Sequence, residues 1–364
     1  MGQPLSIGIV GCGTIARQYL ATLERLTTSL KLVAVADLDP ARAEAVADGR
    51  PAVQSCPTVE ALLGTPEVEA VLNLTTPAAH AEVALGAIAA GKHVYGEKPL
   101  AVTTAEGEAM LRAARAAGVR LGCAPDTVLG TGLQTARKAI DDGLIGTPVA
   151  ATATMVTPGH ERWHPNPDFY YAPGGGPLFD MGPYYLSALV TLLGPVERVL
   201  GAAGRSRRVR VIGAGPRQGE RLPVHVETHV TGVLVHASGA LSTLVMSFDA
   251  VASRASPIEV HGESGSLVVP DPNRFQGEVL LRTLDAPAWQ TLPVSAGFVD
   301  AARGYGLADL ATTPPDAEPR AGATLAFHVL EVMQALLEAA RRGRAVDLRS
   351  TCLRPRAVPL GTLA

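Results

Sequence analysis

A short apolar run, Leu5 to Val10, leads directly into Gly11-Cys12-Gly13-Thr14-Ile15-Ala16 and then into a segment of helical periodicity. Nothing else in the chain limits its fold so strongly. A strand that turns sharply into a helix through GxGxxA needs Gly11 for the tight turn. Gly13 lets a pyrophosphate approach the backbone, and the small Ala16 lets the helix lie close to the strand, its N-terminus facing the phosphate charge. The pattern predicts the first βα unit of a Rossmann dinucleotide-binding domain, with Gly11, Cys12, Gly13, Thr14 and Ile15 against the cofactor. Asp37 ends the next apolar run, 24 residues after Gly13, near the spacing of about 20 residues expected of a carboxylate on the adenosine ribose. Such a carboxylate accepts from both ribose hydroxyls and repels a 2′-phosphate, so NAD is the expected cofactor and NADP the less favoured one. Arg42, close by, softens that preference.

Apolar runs alternate with helix-like segments up to Ala124, which predicts a doubly wound parallel sheet with crossover helices. Expected strands are Ser6–Val10, Leu32–Asp37, Ala70–Leu74, His93–Glu97 and Arg120–Ala124; expected helices are Thr14–Leu26, Ala78–Ala90 and Thr104–Ala117. At 364 residues the chain exceeds the size at which one core keeps growing. Residues 1–124 are read as the Rossmann domain and 125–364 as an α+β substrate-binding and oligomerisation domain. The latter opens on a helix, Gly132–Asp142, and turns strand-rich over Val149–Val156 and from Val226 to Leu292, with turn signals at His236–Gly239 and Gly262–Gly265. A large, mostly antiparallel sheet is implied, closed by a helix over Ala321–Arg341. The fold class is therefore α/β with an α+β second domain.

The formal charge of −3 gives no electrostatic reason to expect nucleic acid or an anionic membrane as partner. The one dense basic patch, Arg205, Arg207, Arg208 and Arg210, reads as a solvated loop or strand face. Four scattered cysteines without CxxC read as reduced thiols. Neither a signal peptide nor an apolar run long enough to span a bilayer is expected. The cytoplasm is the expected location.

Two further stretches carry chemistry. Ala90-Gly91-Lys92-His93-Val94-Tyr95-Gly96-Glu97-Lys98-Pro99 follows Thr75-Thr76-Pro77 and His80, and Gly174-Gly175-Gly176 precedes Asp180, Gly182 and Tyr184. In this order they resemble the AGKHVxxEKP and GGGxxxDxGxH/Y segments of the Gfo/Idh/MocA family. The resemblance implies an NAD(P)-dependent oxidoreductase acting on a secondary alcohol of a sugar, glycoside or cyclitol. It implies cofactor contacts from Thr75, Thr76, Pro77, His80, Glu97 and Lys98, and a homo-oligomer, dimer or tetramer. Much of the family has His where this chain has Tyr184; its glucose-fructose oxidoreductase and dihydrodiol dehydrogenase types are similar in having Tyr. The family's Asn-x-Arg after strand six reads Asp126-Thr127-Val128 here, so the usual substrate contact does not transfer unchanged and Asp126 stands in the Asn place.

The residues support the same chemistry by themselves. Lys98 ends a parallel strand, the sheet edge where ligands collect, and its charge suits a developing alkoxide. Asp180 and Tyr184 are four apart on a helix read from Pro177 to Gly194-Pro195, so they share a face. A tyrosine, whose unperturbed pKa is near 10, needs a neighbouring cation to act at neutral pH, and Lys98 is the candidate. Asp180 then orients the substrate hydroxyl or Lys98. Lys98, Asp180 and Tyr184 form the expected catalytic set.

The polar and aromatic loop His160, Trp163 and His164, with Tyr170 and Tyr171, reads as a substrate wall. Asp126, Lys98, Asp180 and Tyr184 complete the expected substrate contacts. His160 and His164 lack a third ligand, so no metal is expected. His225, Glu227 and His229 alternate on an expected strand face, compatible with a solvated edge, an interface or a pocket. Two other functions fit the same fold: an enzyme that retains and recycles NAD for elimination, epimerisation or glycoside cleavage, and a non-catalytic NAD- or sugar-binding regulator.

Overall fold

The structure, a computed structural model, describes residues 3–314 and 317–363. It divides into two compact units. The first comprises Met1–Gly130, Phe298–Phe327 and Val358–Ala364; the second comprises Thr131–Gly297 and His328–Ala357. Residues 298–327, counted with the second domain from the sequence, thus return to the first unit. Their reason is local: the helix Tyr305–Thr312 packs against the last Rossmann strands, the Cys123 N–H donates to the Ala321 carbonyl, and Gly122 bridges to Gly322.

In the first unit, β1 (Leu5–Val10), β2 (Leu30–Ala36), β3 (Gln54–Ser55), β4 (Ala70–Asn73), β5 (His93–Gly96) and β6 (Leu121–Cys123) form one sheet in the order β3-β2-β1-β4-β5-β6. Every pairing is parallel. This is the Rossmann order, whose strand sequence reverses between β1 and β4. A sheet covered by helices on both faces buries both sides of its strands, and all four residues of β4 are buried. The helix Thr104–Ala117 opens with a capping box between Thr103 and Glu106, satisfying two end N–H groups at once. The first helix is Ala16–Leu23, shorter at both ends than its periodicity suggests.

The second unit contains β7 (Pro148–Val156), β8 (Val196–Gly204), β9 (Val209–Val211), β10 (Arg221–Pro223), β11 (His229–His236), β12 (Leu241–Ser247), β13 (Ile258–Gly262), β14 (Gly265–Val269), β15 (Leu280–Thr283), β16 (Gln290–Thr291) and β17 (Val346–Asp347). Nine of them form a sheet ordered β16-β15-β14-β13-β7-β12-β11-β8-β17, while β9 and β10 form a separate ribbon. The β7–β12 pair is parallel and its neighbours are antiparallel. Because β11 starts at His229, His225 and Glu227 precede the strand and share no strand face with it.

The helix Gly176–Leu193 lies on β7, β11 and β12. The helix Ala323–Arg342 is long and apolar enough to cross a membrane by length and composition, contrary to the sequence reading. Its apolar stripe is instead core: Val329, Leu330, Val332, Met333 and Leu336 are each 2% exposed or less.

Candidate active site

The carboxyl ends of β1, β2, β4 and β5 form the edge where a doubly wound sheet gathers its ligands. At Gly11, φ is +97°, and a Cβ there would stand 2.7 Å from the carbonyl carbon and oxygen of Leu74. Only glycine can hold β1 this close to the end of β4. A Cβ on Gly13 would meet no atom within 4 Å beyond its chain neighbours; the turn is open on that side. The turn is tied to β2, because the Gly11 N–H donates to the Ala36 carbonyl at 2.9 Å and the Cys12 N–H to Asp37 Oδ2 at 2.6 Å. Asp37 Oδ1 accepts from the Asp39 N–H at 2.8 Å. Each carboxylate oxygen has a second lone pair, so Asp37 can brace the turn and accept from a ribose. Thr14 is exposed, and Cys12, Gly13 and Ile15 are half-buried. Burial, then the Asp37 charge, pushes the Cys12 thiol up to about 11, so it stays protonated at neutral pH.

Below this edge the loops are held by Asn73 and Tyr19, which the sequence reading left out, and by His80 and Glu97, which it placed on the cofactor and which are buried. Asn73 is buried; its Oδ1 accepts from the Thr75 hydroxyl at 2.6 Å, and its amide donates to the His80 carbonyl at 3.0 Å. The polar residue ending an apolar strand was the available signal. His80 is 2% exposed. Its ring nitrogens stand 2.7 Å from the Pro99 carbonyl and 3.1 Å from the Thr75 carbonyl, joining the Thr75-Thr76-Pro77 loop to the Lys98-Pro99 turn. Burial pushes its pKa down in spite of both carbonyls. Glu97 accepts from the buried Tyr19 hydroxyl at 2.7 Å and from the Lys98 N–H at 3.1 Å. Burial, then Glu97, drives the Tyr19 pKa far up, so Tyr19 remains a donor.

In the second unit the triple glycine opens the helix that bears Asp180 and Tyr184. Gly174 and Gly176 have φ of +86° and +85°, and a Cβ on Gly175 would lie 2.4 Å from the Phe169 carbonyl oxygen. The helix therefore starts tight against the preceding loop. From that loop, His160 Nε2 meets Asp180 Oδ2 at 2.9 Å. Around the His160 ring stand Phe248, Tyr170 and Trp163, at centroid distances of 4.4, 4.7 and 5.2 Å. Trp163 is exposed and Tyr184 is buried. His164 Nδ1 accepts from the Asn166 N–H at 3.1 Å, and burial pushes the His164 pKa down.

Residues 5–124 match the oxidoreductase family with an NAD-binding Rossmann fold, and residues 133–268 match the GFO/IDH/MocA C-terminal domain. The 1,5-anhydro-D-fructose reductase of Ensifer adhaerens is 33% identical over 267 residues, 72% of this chain and 74% of that protein. The chain belongs to the Gfo/Idh/MocA oxidoreductase family. Inositol 2-dehydrogenase 3 of Saccharopolyspora erythraea is 29% identical over 274 residues, 74% of each chain. An NAD-binding oxidoreductase from Klebsiella pneumoniae has the same fold, with a TM-score of 0.82 and 26% identity over 94% of this chain and 99% of its own.

Within this Gfo/Idh/MocA member several expected contacts have other duties. Asp126, expected on the substrate, is fully buried. Its Oδ2 accepts from the N–H groups of Gly304 (2.7 Å) and Gly306 (3.2 Å) at the start of the helix Tyr305–Thr312, and burial raises its pKa. Tyr171, expected in the substrate wall, is 0% exposed and donates its hydroxyl to Glu161. Arg210, expected in a solvated patch, is 3% exposed; it pairs with Glu161 at 2.9 Å and with Asp249, and its guanidinium lies 5.1 Å from the centre of the Tyr171 ring. Arg207 and Arg208 are exposed as expected.

Proposed function

We propose that the protein transfers hydride between NAD and a secondary alcohol carbon of a sugar, glycoside or cyclitol. The observation that carries the proposal is the β1–β4 edge, where the open face of Gly13 and the Asp37 carboxylate suit an adenine dinucleotide without a 2′-phosphate. The relatives named for anhydrofructose reduction and inositol oxidation support the substrate class, since both names describe redox chemistry on cyclic polyols. When bound, the nicotinamide supplies the hydride acceptor or donor.

The chain's own residues handle the rest. Lys98 places positive charge at the oxygen that becomes anionic as the carbon is oxidised. Tyr184 takes or returns the hydroxyl proton, and Asp180, one helical turn away, orients the group. Gly11 to Ile15 and Thr75 to Pro77 line the cofactor, while His80 and Glu97 hold the loops that do so. Trp163 and His164 are the wall residues left facing a ligand.

The test is to heat-denature the purified protein and identify any released nucleotide, then to screen sugars and cyclitols at 340 nm with both nicotinamides. The expected result is NAD-linked turnover of a cyclic polyol that Lys98→Met removes. Turnover unaffected by Lys98→Met, or a protein that binds NAD and turns over nothing in a broad panel, sinks the proposal.

A further inference from the structure

His160, the partner of Asp180, has no assigned duty in this scheme, yet the second unit is built to hold the pair. Both side chains are almost enclosed, 12% and 14% exposed, where a polar contact is screened less than at the surface. His160 Nδ1 is buried and has no hydrogen-bond partner. A lone pair on Nε2 would repel the carboxylate, so the proton sits on Nε2 and is donated to Asp180. Three aromatic rings, Phe248, Tyr170 and Trp163, flank the imidazole.

The next residue is locked more firmly still. Glu161 is held by Arg210 at 2.9 Å and by the Tyr171 hydroxyl, and its own carbonyl accepts from the Gly213 N–H at 2.7 Å. Arg210 also donates to the Phe248 carbonyl at 2.9 Å, which ties the network to a ring that flanks His160. On the other side, the Gly159 N–H donates to the Thr157 hydroxyl at 3.0 Å. Buried charges are a poor source of net stability; a rigid seat for a side chain that must not move is a better account of them.

We propose that His160 is a positioning residue of the reaction, whose Nε2–H fixes the Asp180 carboxylate in the one orientation that aligns the substrate hydroxyl. The inference rests on the function proposed above for Asp180. Its effect is on turnover, because a misaligned carboxylate still lets substrate bind.

The experiment has two arms on the full-length protein. In the kinetic arm, His160→Ala lowers kcat by about 10–100-fold, the usual effect of removing an outer partner. The substrate KM and the NADH dissociation constant stay within about threefold, a split that marks turnover rather than binding. His160→Gln, whose amide nitrogen can replace Nε2, recovers at least about tenfold of that loss, as a hydrogen-bond donor without an imidazole should. A His160→Gln no better than His160→Ala, or a His160→Ala within twofold of the parent, overturns the proposal.

The second arm needs no turnover. In protein labelled with 15N-histidine, the imidazole signal that disappears in His160→Gln identifies His160. It should show the Nε2–H tautomer and shift in Asp180→Asn. An Nδ1–H tautomer, or a signal indifferent to Asp180→Asn, also overturns the proposal. If this arm gives the expected shift while the parent protein oxidises no polyol, the failure belongs to the proposed activity and not to the pair.

Discussion

At the Gly11 turn of the first unit, shape is fixed mostly by main chain: a positive φ, a Leu74 carbonyl where a Cβ would stand, and the Gly11 N–H tied to β2, with one side chain, Asp37, on the Cys12 N–H. In the loop 159–164 of the second unit it is fixed by side chains, through Glu161, Arg210, Asp249 and Tyr171. A turn held mostly by main chain depends first on its glycines. A charge network is the opposite, since losing one member strands the others in the core. The two regions should therefore differ in fragility, and that difference can be measured.

The largest effect is expected at the network. Arg210→Met leaves Glu161 and Asp249 without their cation and should lower unfolding free energy by about 3–5 kcal/mol, measured by urea denaturation. NADH affinity of the folded protein should be retained. A loss under about 1 kcal/mol would remove the network as anchor of the loop. Next comes Lys98→Met, expected to reduce kcat by about 10²–10³ with an unchanged melting temperature, since the proposed role of the half-buried Lys98 is its charge and not packing. Coincident loss of stability would place Lys98 with the structural residues instead.

Acid should weaken the second unit. Burial pushes His328 down to about 4, and burial lowers His236 as well. Between the unfolded pKa near 6.5 and these folded values, the unfolded chain binds protons that the folded chain does not. Stability is thus complete above about pH 6.5 and falls as pH drops toward 4, with His328 contributing up to about 3 kcal/mol over the interval. Denaturation at pH 7 and pH 4.5 checks this, and His328→Asn should flatten the difference. The smallest effect is at Asp37: Asp37→Ser should shift the NADH-to-NADPH preference by about tenfold, or 1.4 kcal/mol. Parallel fluorescence titrations read it, and equal affinities in the parent protein would contradict the ribose assignment.

The contrast also explains what could be read from the sequence. Glycines between a strand and a helix report a local conformational demand, and they were visible in order along the chain; the capping pair Thr103 and Glu106, equally local, was not read from it. Many helix and strand positions followed from periodicity, but the short elements Pro40–Ala47 and Val59–Leu63, the strand Val196–Gly204 and the helix Tyr305–Thr312 were not read from the sequence. The pair His160 and Asp180 stands 20 residues apart, and Glu161 and Arg210 stand 49 apart. No periodicity links such partners, so Arg210 looked like a surface charge and Tyr171 like a ligand wall. Asp126 misled for the same reason: its partners are Gly304 and Gly306.

That last contact has a bearing on how the chain is made. Asp126 leaves the ribosome before the glycines that cap it, 178 and 180 residues later. Until they emerge, this carboxylate lacks the two N–H partners that it has in the folded unit. The first unit thus includes segments that are synthesised only after most of the second unit. A fragment cut at Gly130 would carry every cofactor glycine and still lack the segment that completes its last strands.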